Sequence, residues 1–268
     1  ICPWQVYLAF GNKQILKNQY QSMKKWIDYI TSTTTTKYLW TGGTHYGDWL
    51  GLDAPSGSYK GSSNEDFIAS AFYAYSTSLV IQAGTVLGED VSELSTLYEN
   101  IVNTFQKTWP TYHTQTECVL AAHFKLAKNC QAAADQLADM VRACGTKLQT
   151  GFVGTPYLLH VLSDYGHTDL AWDLLLRTKY PSWLYPVTKG ATTIWELWNG
   201  NTADPAMNSG NHVMLLGDFL PYCYQHLAGI RNAAPGFKEI QMKPAFELEE
   251  VGFIRASHIT PYGKVTSN

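Results

Sequence analysis

The sequence predicts an all-α array of helical hairpins that gives way, after Gly229, to the start of a β-domain. Three observations carry this. Apolar residues recur at helical spacing to about residue 227, the helices follow one another through short connections, and beyond Gly229 the spacing becomes that of strands and turns.

The elements can be justified in order. Ser63-Asn-Glu-Asp66 is a capping signature, and a stripe of Ile68, Ala71, Phe72, Tyr75, Leu79, Ala83 and Val86 runs from it to Gly88. Leu94, Leu97, Ile101, Phe105 and Trp109 continue at helical spacing. Two further helices are expected near 115–127 and 130–144, the second stopped by Gly145. Thr155-Pro156 supplies a cap and a first-turn proline for Leu158, Leu159 and Leu162, and Tyr165-Gly-His-Thr168 closes that helix and opens another with Leu170, Leu174 and Leu175. This is an αα-hairpin with a very short turn. No repeat of fixed period is present, which favours a closed ring of hairpins over a solenoid. Long loops rich in Gly, Trp, Tyr and Thr, at 31–62, 146–155 and 179–211, are expected to carry function. After Gly229, Ala234 to Pro244 and Val251 to Ile259 read as strands, with Thr260-Pro-Tyr-Gly263 as a hairpin turn. Two strands and a stub cannot bury a sheet face alone, so this reads as a β-domain cut short.

Composition narrows the function. The 268 residues suffice for one large domain, or for one domain and a piece of another. A net charge of -3 gives no basic field for nucleic acid, and no apolar run approaches the roughly 20 residues that cross a bilayer, so neither partner is expected. Cys2, Cys118, Cys130, Cys144 and Cys223 are odd in number and scattered without a CxxC, which reads as core thiols in a reducing, cytoplasmic compartment and not as a disulfide or zinc framework. The N-terminus has no signal-peptide pattern and no initiator Met, and the chain reads as a segment of a longer protein. Nine Trp and 17 Tyr stand out, because such rings stack on the C–H faces of sugars as well as filling cores.

P-loop, GxGxxG, HExxH and GxSxG patterns are absent, and Gly151-Phe-Val-Gly154 is too weak a pattern for phosphate binding. What remains is carboxylates among aromatics in loops. In Thr44-His-Tyr-Gly-Asp-Trp-Leu50, Asp48 can be a loop brace or a ligand contact, and Trp49 a core anchor or a sugar platform; Asp53 follows closely. In Ala191-Thr-Thr-Ile-Trp-Glu-Leu-Trp-Asn-Gly200, Glu196 lies between Trp195 and Trp198 and is expected to be partly desolvated, which suits proton transfer. A Glu paired with Arg or Lys fits the local sequence equally well. His212 begins an expected helix whose stripe is 212, 216, 219, 223 and 227, where it is either a core histidine or an imidazole aimed into a pocket. Pro221 should kink that helix.

Taken in order, Pro3-Trp-Gln-Val-Tyr7, Tyr46-Gly-Asp-Trp-Leu50, Thr150-Gly-Phe-Val-Gly-Thr-Pro-Tyr157, Tyr180-Pro-Ser-Trp-Leu-Tyr-Pro186, Ala191 to Trp198, Asn211-His212 and Pro235-Gly-Phe-Lys238 resemble the bacterial α-L-rhamnosidases of glycoside hydrolase family 78. Each motif is short; their order and spacing over essentially the whole chain make them specific. The resemblance implies a partial (α/α)6 toroid, its C-terminal two-thirds at 1–229, followed by the truncated start of a C-terminal β-sandwich at 230–268. It implies inverting hydrolysis of terminal α-L-rhamnose from glycosides or polysaccharides, with no cofactor and no metal. Glu196 matches the family's general base, Trp49 a tryptophan lining the rhamnose pocket and His212 a sugar-contacting histidine; Asp48 and Trp195 complete the expected substrate-binding set.

Departures from the family pattern are Leu197 where Arg is usual, Asn199 where Asp is usual, and a shorter loop from Glu196 to His212. The family's motif for the general acid lies upstream of Pro3-Trp4, and roughly eight of twelve toroid helices are countable here. The chain is therefore expected to hold the water-activating half of the site, with the rest of its parent chain as its partner. Alone it should hydrolyse little, since loss of proton transfer costs on the order of 10²–10⁴-fold. Two other readings stay open: another six-hairpin inverting glycosidase in which Asp48 supplies the acid, and a non-catalytic sugar-binding relative.

Overall fold

Regular apolar spacing does become helix. The structure is a computed structural model that describes residues 1–212, 219–245 and 248–268. Its helices are α1 (Cys2–Phe10), α2 (Lys13–Thr33), α3 (Glu65–Leu87), α4 (Ser92–Thr108), α5 (Gln115–His123), α6 (Cys130–Ala143), α7 (Thr155–Asp164), α8 (Thr168–Leu176) and the single turns α9 (Tyr185–Thr188) and α10 (Phe219–Tyr222). None is long and apolar enough to cross a membrane among the described residues. Two compact units divide the chain: Ile1–Gly43 with Ala69–Thr108 and Cys223–Asn268, and Thr44–Ile68 with Trp109–Tyr222.

In the first unit, α2 shows why a helix forms. Asn12 caps it by accepting the Gln14 amide at 2.8 Å, and Leu16, Tyr20, Met23, Ile27 and Ile30 form one buried stripe that packs the helix in a hairpin with α1. Each such apolar side chain contributes roughly 1.5–3 kcal/mol when fully buried. The strongest cap of α3 is Asn64, whose Oδ1 accepts the Phe67 amide at 2.8 Å. Ser63, one residue earlier in the expected signature, instead bonds its hydroxyl to Thr114 at 2.7 Å. Burial on α3 differs from the expected stripe: Ile68, Ala71, Leu79 and Ala83 are buried, Phe72, Tyr75 and Val86 only half-buried, and Tyr73, Ala74, Thr77 and Val80 are buried in addition. α4 buries Leu94, Ile101 and Phe105.

In the second unit, α5 packs against α6 and α7 against α8. α5 stops at His123, short of the expected 127, because Lys125 takes a left-handed φ of 60° and the Leu126 and Ala127 amides both return to the Ala121 carbonyl. Asn129 caps α6, and Gly145 at φ 79° follows its end. For α7 the first helical residue is Thr155, so the cap is Gly154, and the Thr155 hydroxyl bonds Thr150 at 2.8 Å.

The expected start of a helix at His212, including Leu216, falls on 213–218, outside the described residues. Beyond Pro221, where a kink is expected, the helix widens into a π-turn, Cys223–Leu227. The wider turn moves the buried face: Tyr222 and His226 are buried, not the expected Phe219, Cys223 and Leu227. The β-segments also differ in detail. β1 (Ile230–Asn232) pairs antiparallel with β2 (Ile240–Met242), and Pro235–Phe237 between them is a 3-10 turn and not strand. β3 (Ala256–Thr260) starts later than Val251, because Glu249–Val251 is a 3-10 turn and Gly252 has φ 72°. It pairs through the expected Thr260–Gly263 turn with β4 (Gly263–Ser267), which the sequence reading leaves as a loose end. The two pairs are not joined to each other, so each remains a two-stranded ribbon.

The cysteines are not all core residues. Cys118 is buried, Cys130, Cys144 and Cys223 are half-buried, Cys2 is exposed, and all are free thiols. Burial pushes the Cys118 thiol up to about 12 and that of Cys223 to about 11, which keeps both protonated and unreactive at neutral pH.

Candidate functional site

Three loops of the second unit, 44–62, 149–154 and 191–212, carry every residue singled out above. A network of backbone bonds ties the first two. Asp48 is 1% exposed, and its Oδ2 accepts the Gly151 amide at 2.7 Å and the Thr116 hydroxyl, while Oδ1 accepts the Val153 amide at 2.9 Å. Desolvation pushes its pKa up, opposed by those three hydrogen bonds. Its own carbonyl takes the Gly51 and Gly61 amides at 3.0 and 2.9 Å. Asp53 folds the same loop, accepting the Ser62 amide at 3.1 Å.

Gly151 explains why glycine is needed in Gly151-Phe-Val-Gly154. A Cβ there would lie 2.3 Å from the Trp49 carbonyl oxygen and 2.6 Å from the Gly51 nitrogen, so only glycine lets the two loops meet. The next residue, Phe152, donates its amide to the Trp49 carbonyl at 2.9 Å. Trp49 itself is half-buried, with its ring 5.2 Å from that of Tyr46 and 5.5 Å from that of Tyr59. His45 holds the turn that presents these rings, accepting the Gly47 amide on Nδ1 at 3.0 Å and meeting the Glu65 carbonyl through Nε2 at 2.9 Å.

The third loop folds back on itself like a short ladder. Glu196 donates its amide to the Ser209 carbonyl at 2.9 Å and accepts the Ser209 amide on Oε2 at 2.9 Å. Asn208 Oδ1 accepts the Leu197 amide at 3.1 Å, and His212 donates its amide to the Ile194 carbonyl at 2.6 Å. Glu196 is half-buried, as the tryptophans around it suggest. Among the described residues it pairs with no Lys, Arg or His, so the ion-pair alternative has no partner here. Among the described residues no hydrogen bond reaches its Oε1.

The two tryptophans beside Glu196 differ. Trp198 is 3% exposed and meets the buried Trp183 edge-on at 5.4 Å and 87°, a packing contact. Trp195 is half-buried over Gly200, where a Cβ would meet its ring at 2.8 Å. His212 is half-buried and stacks on Phe152 at 5.7 Å and 27°, with a buried Nδ1 that has no partner among the described residues. Phe152 thus links the second loop both to Trp49 and to His212. In place of the family's Asp, Asn199 closes a turn, its carbonyl accepting the Thr202 and Ala203 amides at 2.8 and 2.9 Å.

Several residues of this arrangement escape a sequence reading: Ser209 and Asn208 that hold Glu196 in place, Gly200 beneath Trp195, and Trp183 behind Trp198. The only local signal is the small residues opposite bulky rings. Among the described residues no three His, Cys, Asp or Glu side chains gather as a metal site.

This arrangement has counterparts in known proteins. A family model described as the bacterial alpha-L-rhamnosidase 6 hairpin glycosidase domain matches residues 1–227, and one described as the bacterial alpha-L-rhamnosidase C-terminal domain matches residues 229–268. An alpha-L-rhamnosidase of Streptomyces avermitilis is 34% identical over 99% of this chain and 26% of its own length; one of Formosa agariphila is 33% identical over 100% and 30%. The crystal structure of the Streptomyces avermitilis alpha-L-rhamnosidase complexed with L-rhamnose superposes with a TM-score of 0.87 at 32% identity, covering 98% of this chain and 26% of that one. That of the Aspergillus terreus enzyme gives 0.88 at 31% identity, covering 99% and 32%. The chain spans between a quarter and a third of the length of these relatives.

Proposed function

Because the chain belongs to the bacterial alpha-L-rhamnosidase six-hairpin glycosidase family, we propose that it carries the water-activating half of an inverting α-L-rhamnosidase site, with Glu196 as the general base. The observation that carries this is the state of the Glu196 carboxylate. One oxygen is fixed by the Ser209 amide, and among the described residues no hydrogen bond reaches the other and no cation neutralises the group. A carboxylate held by one oxygen and open at the other is arranged to orient a water and accept its proton.

In the inverting reaction, Glu196 Oε1 takes a proton from water as the water oxygen bonds to the sugar C1, and the C1–O bond to the leaving group breaks from the opposite face. A second carboxyl group, about 6.5–9.5 Å from the first, gives its proton to the leaving oxygen. Asp48 is ill-suited to that second role: it is enclosed, and both its oxygens are occupied by donors that hold two loops together. We assign the acid to the part of the parent protein that this chain does not cover, and read Asp48 as the brace beneath Trp49. Trp49, Trp195 and His212, all half-buried, supply the sugar-facing surface. The substrate would be a rhamnose-containing glycoside or polysaccharide.

The test uses the full-length protein and a Glu196→Gln variant with p-nitrophenyl α-L-rhamnoside. Release of p-nitrophenol should fall at least about 10²-fold in the variant, and rhamnose should first appear as the β-anomer. Full activity of the variant removes Glu196 from the base role; α-rhamnose as the first product removes inversion. A second reading rests on Leu197, which puts an apolar side chain where the family resemblance implies Arg. In that reading the parent protein binds L-rhamnose without turning over its glycosides, and the same assay separates the two.

A further inference from the structure

Three consecutive amides hold the second loop against residues 48 and 49. Gly151 and Val153 donate to the two oxygens of the Asp48 carboxylate at 2.7 and 2.9 Å, and between them Phe152 donates to the Trp49 carbonyl at 2.9 Å. With its own amide and both neighbouring amides engaged, Phe152 has little backbone freedom, and the direction of its side chain is fixed accordingly. Its ring is half-buried and stacks on His212 at 5.7 Å and 27°, an offset geometry that aromatic pairs favour. His212 in turn donates its amide to the Ile194 carbonyl at 2.6 Å, two residues before Glu196. All of these residues belong to the second compact unit.

We infer that Phe152 is a positioning residue: its ring sets the plane of the His212 imidazole and so fixes where His212 meets the sugar relative to Trp49. This rests on the rhamnosidase reading above, in which Trp49 and His212 face the sugar; Phe152 itself is assigned no sugar contact. Trp49 and His212 come from loops far apart in the chain, and a ligand held between two loops is held only as well as the loops are registered to each other. Phe152 has a handle on each, its amide on Trp49 and its ring on His212. The terminal torsion of a histidine is broad by itself, and a ring stacked on one face narrows it. Glu196 is held separately, by the Ser209 amide, so the role of Phe152 lies in binding and not in proton transfer.

The experiment compares the full-length protein with Phe152→Leu, Phe152→Tyr, His212→Ala and the double variant Phe152→Leu with His212→Ala. It reads kcat and KM for p-nitrophenyl α-L-rhamnoside, the Kd of L-rhamnose and the melting temperature. Phe152→Leu should raise KM and Kd about 3–10-fold and leave kcat within about twofold, while Phe152→Tyr, which keeps the ring, should stay within about twofold of the parent in all three. In the His212→Ala background the same leucine substitution should weaken binding by less than about twofold, because the group it positions is gone. If the leucine variant does not fold, Phe152→Met, which keeps the volume without the flat ring, takes its place in the same cycle. A kcat that falls with the melting temperature at unchanged Kd would make Phe152 a loop brace only. Losses of equal size with and without His212 would mean that it does not act through the imidazole, and an unchanged Kd in Phe152→Leu would remove the role altogether; each of these overturns the inference alone. If the unsubstituted protein fails to bind L-rhamnose, the rhamnosidase reading falls, and this one with it.

Discussion

Glu196 and Ser209 exchange two hydrogen bonds at 2.9 Å each: amide of Glu196 to carbonyl of Ser209, and amide of Ser209 to carboxylate of Glu196. The backbone of the loop thereby sets the direction of the side chain that the proposed chemistry depends on. Asn208 tightens the same closure through the Leu197 amide.

Asn208→Ala removes that brace without touching Glu196. A lost side-chain bond of this kind is worth about 1 kcal/mol, and a carboxylate free to drift should lower kcat by about 3–10-fold. We expect KM for p-nitrophenyl α-L-rhamnoside to stay within about twofold, because Asn208 is not assigned to sugar contact. Steady-state kinetics of the full-length variant decide this; an unchanged kcat would mean that the Ser209 pair alone fixes the group.

Gly151→Ala forces a methyl group to within 2.3 Å of the Trp49 carbonyl oxygen. The clash is with backbone on both sides, so the loops must separate, at a cost of about 1–3 kcal/mol. The variant should melt several degrees lower and lose sugar affinity together, as Trp49 shifts with its carbonyl. Differential scanning calorimetry and L-rhamnose titration would show both; loss of affinity with an unchanged melting temperature contradicts the bracing role.

His212→Phe keeps a ring on Phe152 but deletes the imidazole nitrogens that the proposed function sets against the sugar. Removal of one sugar contact should weaken L-rhamnose binding about 10-fold, corresponding to about 1.4 kcal/mol, with little change in thermal stability. An affinity equal to that of the parent protein would return His212 to a packing role.

His123 supplies a pH dependence away from the site. It stacks on Tyr157 at 4.4 Å and 28°, and burial, helped by the Lys125 charge, lowers its pKa from 6.5 to about 4. Folded, the ring stays neutral down to about pH 4; unfolded, it takes up a proton near pH 6.5. The unfolded state then binds more protons between these values, so stability falls as the pH drops through that window, by about 3 kcal/mol at most. His123→Phe should remove that part of the loss, as melting temperatures at pH 7 and pH 4.5 would show; an identical acid limb in both proteins would sink the assignment.

How much of this was legible beforehand follows the range of each interaction. The stripes of α4, α7 and α8 depend on spacing within one segment, and the sequence reading finds them, whereas that of α2 it leaves unread. Caps shifted by one residue where a distant partner intervened: Ser63 is drawn off by Thr114, and Thr155 by Thr150. The half-burial of Glu196 could be read from its tryptophan neighbours. Its actual anchor, Ser209, is 13 residues away across a loop with no periodicity to follow. Asp48 is the same lesson at greater range, since its amide donors stand at 151 and 153 and nothing near residue 48 announces them. In the β-segments the turn at Thr260–Gly263 was readable from Pro and Gly, whereas three-residue strands such as β1 are too short to show alternation.

Asn232 reaches across the first unit to donate its amide to the Leu8 carbonyl at 2.6 Å, and a Cβ at Gly236 would lie 3.0 Å from the Gly11 backbone. α1 is thus seated on residues made more than two hundred positions later. During synthesis α1 has α2 beside it but lacks this second seat until the Pro235–Phe237 turn is made, while the Thr44–Ile68 and Trp109–Tyr222 segments already have their own partners. For this helix assembly does not simply follow translation: part of its seat is made more than two hundred residues after it.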